Sequence, residues 1–581
     1  MGKLRFLLAL WMARLSIPAL KITRHNGTDF PGTLALKLCP DFLKYIGKPK
    51  RIVAVTGTNG KTTVANMLGD VLTAQGMTVL SNRAGSNIAS GVSTALLKGC
   101  DLLGRVKPVY DLALLEVDER SAPRIYPYVK PEFIVITNLF RDSIMRNAHP
   151  GYIADILTRS LPKDSTLILN ADDLISGSVA PDNRRVYFGI DRLESDVTAC
   201  ENLLNDMRIC PKCAGTLRYE YRRYHHIGRA VCEGCGFHSP DSDYLATQVD
   251  LAAKTIVIRQ GGKDYPYTLT ADSIFNIYNM VTVIAAAHQL GLSHENIARA
   301  MTTVKIPPTR LSEEPIGGVN VIMQMSKDKN ALACSRNFDY IRSKSGRKEL
   351  LVMMNCMGVA KSWSENPSWM YDTDFEFLNS DDVVCLVCAG PRAYDYRLRL
   401  LLAGIPEDKI RLAEDEFKAL ELLPLTAGDD VYILYGVDGM PLAHRVKARL
   451  KEMLLAKEGT RWRWKFCFPR SATCTATCRT SIISAAAAPM WRSWRPTSTH
   501  RPAFSQRTWR WSIWAAPRSR ASRWRQTRCG LIAMQSRRRS TRGSFCCSPA
   551  TRRTCSPAVS TATALPPWRG LTCCPPPSAI P

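Results

Sequence analysis

The chain has 581 residues and a mass of 64.7 kDa, which at about 150 residues per domain leaves room for three or four domains and excludes a mini-protein. Its formal net charge of +27 comes mainly from the last fifth, because residues 1–460 carry 56 basic and 51 acidic side chains. This near balance removes the charge argument for a nucleic-acid-binding protein from most of the chain.

The first predicted element is a helix over the apolar run from Leu4 to Leu20. Arg14 and Pro18 interrupt the run, which is short for a membrane-spanning helix and has no small-residue cleavage site. We predict an amphipathic or buried helix, for which core packing and contact with a membrane surface both remain open. No other segment approaches 18 uninterrupted apolar residues, so we expect a soluble, cytoplasmic protein.

A parallel sheet is predicted for the next part of the chain. The β-branched run at residues 51–56 ends in a glycine-rich turn and is followed by a helix-like stretch at residues 62–75. Strands that alternate with helical stretches indicate an α/β fold. The further apolar strand candidates are residues 112–117, 133–137, 166–170 and 185–189.

The glycine-rich turn has the composition of a phosphate-binding loop. Its residues are Gly57, Thr58, Asn59, Gly60, Lys61, Thr62 and Thr63. The glycines allow backbone N–H groups to face phosphate oxygens, and the start of the helix adds a positive dipole. Lys61 is predicted to reach the outer phosphates and the Thr62 hydroxyl to ligate Mg²⁺. Val55 stands where the full G-x-x-x-x-G-K-[ST] pattern has glycine.

Polar residues follow three of the candidate strands. Glu116 begins the string Glu-Val-Asp-Glu, Thr137 and Asn138 follow the next strand, and residues 169–173 read Leu-Asn-Ala-Asp-Asp. Carboxylates at the carboxyl ends of parallel strands around a phosphate loop are where a Mg²⁺ site is expected. We therefore predict that Glu116 acts with Thr62 at a metal ion.

Four cysteines in two close pairs predict a zinc site. Cys210 and Cys213 are separated from Cys232 and Cys235 by 18 residues, which is the spacing of a structural four-thiolate site with no open position for catalysis. In a cytosolic chain such pairs indicate metal rather than disulfides. We expect the basic and aromatic string at residues 222–224 to be a solvated loop. The histidines expected to lie at the surface are His225, His226 and His238.

A second, smaller α/β domain is predicted after the cysteine region. Residues 250–260 and 264–269 alternate like antiparallel strands, residues 274–291 have a helical period, and Pro307-Pro308 is typical of a linker. We expect the second domain to close near Leu455. Its predicted elements are strands at residues 350–355, 383–389 and 430–436 and a helix at residues 393–403.

The last part of the chain differs in composition from the rest. From Arg461 onward there are 21 Arg, no acidic residue and 9 of the 12 Trp. A folded domain has mixed surface charge, whereas a disordered tail is usually poor in aromatic residues. We favour translation of a DNA segment out of frame over a disordered basic tail for residues 459–581.

The motif at residues 56–63, Thr-Gly-Thr-Asn-Gly-Lys-Thr-Thr, resembles the ATP loop of the Mur ligase family, whose members join amino groups to the carboxylates of peptidoglycan precursors. A zinc ribbon inserted in such a domain is similar to the MurT-type subunits of lipid II isoglutaminyl synthases. The resemblance is collinear from about Arg5 to Leu455 and departs from the family at residues 143–146 and 309–313. It includes residues 26–32, 275–279, 368–376 and 390–400.

The resemblance implies an α/β fold with a Mur-ligase-like central P-loop ATPase domain, a parallel sheet, an inserted zinc ribbon and a smaller α/β C-terminal domain. The N-terminal helical or extended segment would be residues 1–48, and the central ATP-binding domain residues 49–306, with the ribbon at about 205–240. The C-terminal domain would be residues 307–458, before the aberrant tail at residues 459–581.

The resemblance also implies an ATP-dependent amidation. ATP would phosphorylate the α-carboxylate of D-glutamate in lipid II at the inner membrane surface, and ammonia would displace the phosphate. Lys61 and the loop amides would bind the phosphates, with Thr62 and Glu116 on Mg²⁺. Asn276 or Asn279 would lie near the adenine and Arg310 near the phosphates.

A separate GatD-type glutamine amidotransferase is the implied source of ammonia. Its Cys and His would be completed by an aspartate of this chain, Asp372 or Asp374, because a carboxylate orients and stabilises a catalytic imidazolium. If the codons from Arg461 onward are read in a frame shifted by one base, they permit the string Asn-Leu-Tyr-Gly-Asp. This string resembles the start of such an amidotransferase. We expect no nucleic-acid partner.

Two other functions remain open. Amino-acid-adding ligases of the MurE or folylpolyglutamate type normally lack a four-cysteine ribbon. They commonly carry a carbamylated lysine after the Asn-Ala-Asp region, where this chain has no lysine before Lys212. A zinc-dependent nucleic-acid-binding ATPase is supported by the pI of about 9.5, but that support rests on the tail.

Overall fold

The computed structural model describes residues 2–22, 28–83, 86–142, 149–270, 273–304, 311–326, 330–354 and 367–465. These residues fall within a single structural unit. Several predictions concern positions outside the described residues, namely Arg310, the Pro307-Pro308 linker, residues 26–27 and 143–146, and the tail from residue 466 onward.

Three helices form the start of the described chain: α1 (Gly2–Ile22), α2 (Phe30–Leu38) and α3 (Phe42–Tyr45). The core-facing residues of α1 are Phe6, Ala9, Leu10 and Ala13, which recur every three or four positions as a helix requires. The opposite face of α1 exposes apolar side chains as well. Among the described residues, no helix is both long and apolar enough to cross a membrane.

The central domain alternates strands and helices. Its strands are β1 (Arg51–Thr56), β2 (Val79–Ser81), β3 (Leu112–Glu116), β4 (Phe133–Ile136), β5 (Thr166–Asn170), β6 (Arg185–Ile190), β7 (Leu217–Tyr224), β8 (Ile227–Cys232), β9 (Tyr244–Asp250), β10 (Thr255–Gln260) and β11 (Lys263–Thr268). Its helices are α4 (Lys61–Ala74), α5 (Ala89–Gly99), α6 (Ala122–Ile125), α7 (Pro150–Ser160), α8 (Leu174–Gly177), α9 (Ile274–Gln289) and α10 (His294–Met301).

Nine of these strands form one sheet in the order β11-β10-β9-β6-β5-β4-β1-β3-β2. The strands from β9 to β2 run parallel, and β10 and β11 add an antiparallel edge. Helices α4 and α9 cover one face, and α1, α5 and α7 cover the other. Because parallel strands end at one edge of a sheet, the ends of β1, β3, β4 and β5 gather around the loop that follows β1.

The hairpin β7–β8 stands apart from the main sheet as a separate two-stranded sheet. It is inserted between β6 and β9, and its strands are joined by a tight turn in which His225 has a φ of 48°. The four predicted zinc ligands lie at the end opposite this turn, because Cys232 is the last residue of β8 and pairs with Leu217.

The predicted strand at residues 250–260 forms only over residues 255–260, where it pairs antiparallel with β11 as expected, and its predicted start is wrong. Strand β9 ends at Asp250 and β10 begins at Thr255, with a turn between them in which Lys254 has a φ of 54°. The apolar alternation alone does not reveal this turn, because the residues on either side continue the same period.

The C-terminal domain is a second α/β domain. Its strands are β12 (Leu311–Ile316), β13 (Val319–Ser326), β14 (Lys348–Met353), β15 (Val383–Ala389), β16 (Ile410–Ala413) and β17 (Asp430–Gly436), in the sheet order β12-β13-β17-β14-β15-β16. Its helices are α11 (Ala331–Ser343), α12 (Ala393–Leu402) and α13 (Met440–Lys465). Only β12 pairs antiparallel within this sheet. The predicted α/β fold class is thus confirmed, although α13 continues past residue 458, where the tail was expected to begin.

Candidate functional site

The loop between β1 and α4 has the backbone shape of a phosphate cradle. Gly57 and Gly60 have φ values of 122° and 85°, in the left-handed region that favours glycine. A Cβ atom on Gly57 would lie 2.4 Å from Thr137 Oγ1, and one on Gly60 would lie 2.4 Å from Asn279 Oδ1. Both positions therefore require glycine, and the N–H groups at the start of α4, which follows Gly60, suit a nucleotide's phosphates.

Residues after β4 hold this loop in place. Asn138 accepts hydrogen bonds from the backbone N–H groups of Thr58 at 2.8 Å and Asn59 at 3.1 Å, through its carbonyl and side-chain oxygens respectively. Thr137 Oγ1 donates to the Asn59 carbonyl at 2.5 Å, and Phe140 N donates to Thr58 Oγ1 at 2.9 Å. The predicted Thr-Asn string is thus the support of the phosphate loop.

Lys61 lies at the start of α4 and is held by a buried carboxylate. Its Nζ donates to Glu119 Oε1 at 2.8 Å and also to the carbonyl oxygen of Gly57. Burial opposes the charge of Lys61, but the carboxylates of Glu119, Asp118 and Glu116 outweigh it and raise the pKa of the ammonium. Lys61 therefore stays protonated beside the cradle, as phosphate binding requires.

Glu116 ends β3 directly beside the loop, opposite Val55 in the parallel register. Its Oε1 accepts a hydrogen bond from Asn87 Nδ2 at 2.9 Å. Thr62, in the first turn of α4, is exposed, and Thr63 is half-buried. The structure thus brings Glu116 into electrostatic reach of Lys61, and a hydroxyl and a carboxylate are ligands that suit Mg²⁺.

The predicted adenine-side residues lie on α9. Asn279 is buried beside Gly60, and its Nδ2 donates to Asn276 Oδ1 at 3.3 Å. Asn276 is half-buried at the same end of the helix. The structure therefore brings Asn279 to the phosphate loop, whereas Arg310 lies outside the described residues.

The four cysteines come together as predicted from their spacing. The Sγ atoms of Cys210, Cys213, Cys232 and Cys235 all lie within 4.8 Å of one another. Backbone N–H groups of Lys212 and Gly215 point at two of them, each at 3.4 Å. Four convergent sulfurs with N–H support fit a tetrahedral soft metal ion.

The expectation of a solvated ribbon tip is wrong. Arg222 and Tyr224 are buried on β7, and the side chain of Arg223 is only 2% exposed. His225 and His226 are also buried, since the tip of the hairpin inserts against the central domain instead of standing in solvent. Burial lowers the pKa of His225 to about 3. His238, in contrast, is exposed as expected, and its Nδ1 donates to the Ser239 carbonyl oxygen at 2.8 Å.

The two candidate aspartates of the C-terminal domain differ in their surroundings. Asp374 is buried, and its carboxylate accepts hydrogen bonds from Leu203 N at 2.6 Å and Asn202 Nδ2 at 2.9 Å. Asp372 is half-buried, with Arg141 Nη1 4.0 Å away. Burial raises the pKa of Asp372, and Arg141 opposes that shift. Asp374 joins two parts of the chain, whereas Asp372 is accessible.

Sequence reasoning missed two residues that shape the site. Glu119 is the direct partner of Lys61, although the prediction singled out only Glu116 from the same acidic string. Asp173, fully buried, accepts from Leu139 N at 2.8 Å and from the N-terminal amides of α8. Both residues could have been found from their position in the sequence, because both follow strand ends. Their burial, which only the structure shows, distinguishes them from solvated acidic residues.

Comparisons with known proteins agree with this geometry. Residues 55–203 match the Mur ligase middle domain, and residues 328–437 match the MurT ligase C-terminal domain. The structure of a pseudomurein peptide ligase type C from Methanothermus fervidus has the same fold, with a TM-score of 0.53 and 22% identity over 71% of this chain and 81% of that one.

Two curated relatives cover most of the chain. The MurT subunit of lipid II isoglutaminyl synthase (glutamine-hydrolyzing) from Staphylococcus aureus strain COL is 28% identical over 414 residues, which are 71% of this chain and 91% of that subunit. The same subunit from Streptococcus pneumoniae R6 is 29% identical over 415 residues, 70% of this chain and 90% of that subunit.

Proposed function

We propose that the chain is the ATP-dependent ligase subunit of a lipid II isoglutaminyl synthase. The premise is that it belongs to the Mur ligase family and carries a MurT-type C-terminal domain. The observation that carries the proposal is the buried Lys61–Glu119 pair at a glycine cradle, in the same chain as the C-terminal match at residues 328–437. The acceptor would be the α-carboxylate of D-glutamate in lipid II.

The chain's own residues are suited to phosphoryl transfer. Lys61 and the loop N–H groups would bind the outer phosphates of ATP and stabilise the charge that spreads as the γ-phosphoryl group moves to the acceptor carboxylate. The products of this step are ADP and an acyl phosphate. Ammonia then attacks the acyl carbon, and inorganic phosphate leaves as the amide forms. The main task of the protein is to hold these groups in line.

Two metals fit the residues present. Thr62 and Glu116 would hold Mg²⁺, which neutralises phosphate charge when bound. The cysteines at 210, 213, 232 and 235 would hold Zn²⁺, whose closed thiolate shell supplies structural stability and no catalysis. Asn276 or Asn279 would contact the adenine, and Arg310 remains a candidate for the phosphates.

A separate glutamine amidotransferase of the GatD type is the proposed source of ammonia. Asp372 is the better candidate to meet its catalytic histidine, because it is accessible whereas Asp374 is buried in hydrogen bonds within the chain. The apolar outer face of α1 supports a position at the inner face of the membrane, where a lipid-linked acceptor lies.

The burial of the ribbon tip argues against nucleic-acid binding. A nucleic-acid interface needs exposed basic and aromatic side chains, whereas Arg222, Arg223 and Tyr224 are enclosed by the central domain. These basic and aromatic side chains are therefore used inside the protein.

Reconstituted amidation tests the proposal. The purified chain would be incubated with Mg-ATP, lipid II and either a GatD-type partner with glutamine or free ammonium. We expect mass spectrometry to show an amide in place of the D-glutamate α-carboxylate with both nitrogen sources, and Lys61→Met to abolish both reactions.

Amino acids in place of ammonium separate this proposal from an amino-acid-adding ligase. ADP release that depends on a free amino acid and not on ammonium would contradict the proposed function. ATP turnover stimulated by DNA, with lipid II unchanged, would contradict it in favour of a nucleic-acid-dependent ATPase.

A further inference from the structure

The tip of the β7–β8 hairpin is buried against the walls of the nucleotide site. His226 is fully buried, and the side chains of Arg223, Asp172 and Asp196 are each at most 5% exposed. A buried charged network is costly unless every member is held in place. Its position between the strand ends and α9 indicates that it has a structural task at the site.

On one side, the hairpin reaches the support of the phosphate loop. His226 Nε2 donates to Asp173 Oδ1 at 3.1 Å, and Asp173 Oδ2 accepts from Leu139 N at 2.8 Å. The His226 ring also packs on Phe140, with ring centroids 4.4 Å apart. Leu139 and Phe140 directly follow Asn138, which holds Thr58 and Asn59. Two hydrogen bonds through Asp173 thus link His226 to the segment that supports the cradle.

On the other side, the hairpin reaches α9. Arg223 Nη1 donates to Asp172 Oδ2 at 2.9 Å and to the Tyr278 hydroxyl at 2.5 Å, while that hydroxyl donates to Asp172 Oδ2 at 2.6 Å. Tyr278 directly precedes Asn279, whose side chain lies against Gly60. Arg223 therefore fixes the helix that closes the other wall of the loop.

The cysteines lie at the far end of the same hairpin. Strand β8 spans from Ile227, beside the tip, to Cys232, a distance of roughly 16 Å at the rise of a β-strand. An isolated two-stranded hairpin is only marginally stable in water. A metal ion held by the four cysteines would therefore stabilise the pairing of the strands at one end, and with it the position of the tip at the other end.

We propose that the ribbon is a brace for the nucleotide site, with His226 and Arg223 as positioning residues, and that metal binding at the cysteines therefore strengthens nucleotide binding. This inference rests on the nucleotide site of the proposed function and on no later step of the reaction. By linkage, nucleotide must then raise the metal affinity by the same factor by which metal raises the nucleotide affinity.

Calorimetry on the full chain tests the brace. The dissociation constant of Mg-AMP-PNP would be measured with Zn²⁺ bound and after chelation, and Zn²⁺ affinity would be measured by chelator competition with and without AMP-PNP. We expect Zn²⁺ to raise the affinity for AMP-PNP about tenfold, and AMP-PNP to raise the affinity for Zn²⁺ by the same factor. Losing a hydrogen bond to a buried charged group has an effect of about this size. A factor of one in the wild-type chain overturns the proposal.

Three variants assign the effect to the hairpin tip. His226→Ala and Tyr278→Phe should bind AMP-PNP more weakly and lower the coupling factor, whereas His226→Gln, which keeps a donor for Asp173, should recover most of it. Arg218→Ala is the matched control, because Arg218 lies on the same strand but is exposed and pairs with Glu233. Unchanged coupling in His226→Ala, in a chain that melts at the wild-type temperature, also overturns the brace.

Failure of the brace and failure of the proposed function give different results. A zinc-loaded chain that binds no AMP-PNP contradicts the proposed ligase. A chain that binds AMP-PNP equally well with and without Zn²⁺ contradicts only the brace.

Discussion

The ion pair between Lys61 and Glu119 is the most enclosed charge interaction at the phosphate loop, with side-chain exposures of 13% and 3%. Breaking a buried pair by removing one partner leaves an uncompensated charge, which costs about 3 kcal/mol or more. We therefore expect Glu119→Gln to lower the free energy of unfolding by about that amount, measured by urea denaturation.

Glu132→Gln is the matched control for this change. Glu132 also pairs with a basic residue, Arg51, at 2.8 Å, but both side chains are more than a third exposed. An exposed pair contributes at most about 1 kcal/mol. Equal losses in the two variants would contradict the assignment of Glu119 as the buried partner of Lys61.

His225 gives the stability a specific dependence on pH. Its pKa is about 3 in the folded chain because burial disfavours the charged imidazolium, whereas an unfolded histidine has a pKa of about 6.5. Above a pH of about 6.5 the histidine is neutral in the folded and the unfolded chain, so its burial does not lower the free energy of unfolding. As the pH falls from there toward 3, only the unfolded chain binds the proton, and the free energy of unfolding decreases. Each pH unit in that window costs at most about 1.4 kcal/mol.

His225→Gln should flatten this dependence. Glutamine keeps a donor for the Leu204 carbonyl, which lies 3.2 Å from His225 Nδ1, but does not titrate. Urea unfolding at several pH values between 7.5 and 4 would show the wild-type chain losing stability faster than the variant. The other ionisable groups are common to both chains and largely cancel in the difference, so parallel curves would show that His225 is not buried neutral.

Secondary structure followed from the sequence where apolar period and turn residues were clear. The strands at residues 51–56, 166–170, 383–389 and 430–436 have the predicted bounds, because buried parallel strands are short β-branched runs between turns. The turn at residues 251–254 was missed since nothing but the backbone of Lys254 marks it. The burial of the ribbon tip was missed because it depends on contacts with residues far away in the chain.

Helix α1 is apolar on two opposite faces, and only one of them is packed. Leu4, Leu8 and Leu15 lie on one stripe with exposures of 66%, 53% and 67%. There is no acidic residue in α1, which carries Lys3, Arg5, Arg14 and Lys21. Exposed leucines with basic neighbours are typical of a helix that rests on an anionic lipid surface.

Vesicle flotation tests the lipid contact of α1. We expect the full chain to float with phosphatidylglycerol vesicles at about 0.5 M salt, where surface charge is screened within a few ångströms. The triple variant Leu4→Ser, Leu8→Ser, Leu15→Ser should bind about tenfold less, because three apolar side chains lose their burial.

The double variant Leu398→Ser, Leu402→Ser is the control for general surface hydrophobicity. Both leucines are exposed on α12, in the C-terminal domain, and their loss should leave flotation unchanged. All of these chains carry the same basic tail, so its attraction to anionic lipid cancels. Equal flotation of the triple variant and the wild-type chain would contradict a lipid contact at α1.

The candidate site is assembled from segments far apart in sequence, which limits what sequence alone can predict. The loop residues, the strand-end acids and the cysteine cluster were each predictable, because each rests on a short motif with its own chemistry. The link between them was not. Arg223 and His226 join the ribbon to residues about 50 positions away along the chain, and no local pattern records such a contact.

The central and C-terminal domains are joined by polar contacts, beside the packing of Ala331 and Leu332 into the central core. Asp374 accepts from Leu203 N and Asn202 Nδ2, Asn330 Nδ2 donates to Asp142 Oδ1 at 2.6 Å, and Arg342 pairs with Glu201 at 2.9 Å. Asp374 is 1% exposed, as is Asn330. Its carboxylate therefore has a scaffold role that is separate from the proposed meeting of Asp372 with a partner subunit.

Two isosteric variants separate these roles. Asp374→Asn turns an acceptor into a donor that faces Leu203 N and Asn202 Nδ2, so we expect a loss of about 2 kcal/mol in unfolding free energy and lower amidation with glutamine and with ammonium alike.

Asp372→Asn should leave stability and the ammonium-dependent reaction unchanged. Its glutamine-dependent reaction should fall about a hundredfold or more, because a partner histidine loses the carboxylate that orients it. Asp381→Asn, at an exposed aspartate of the same domain, is the control for surface charge. If Asp372→Asn reduces both reactions equally, the aspartate acts within this chain and not toward the source of ammonia.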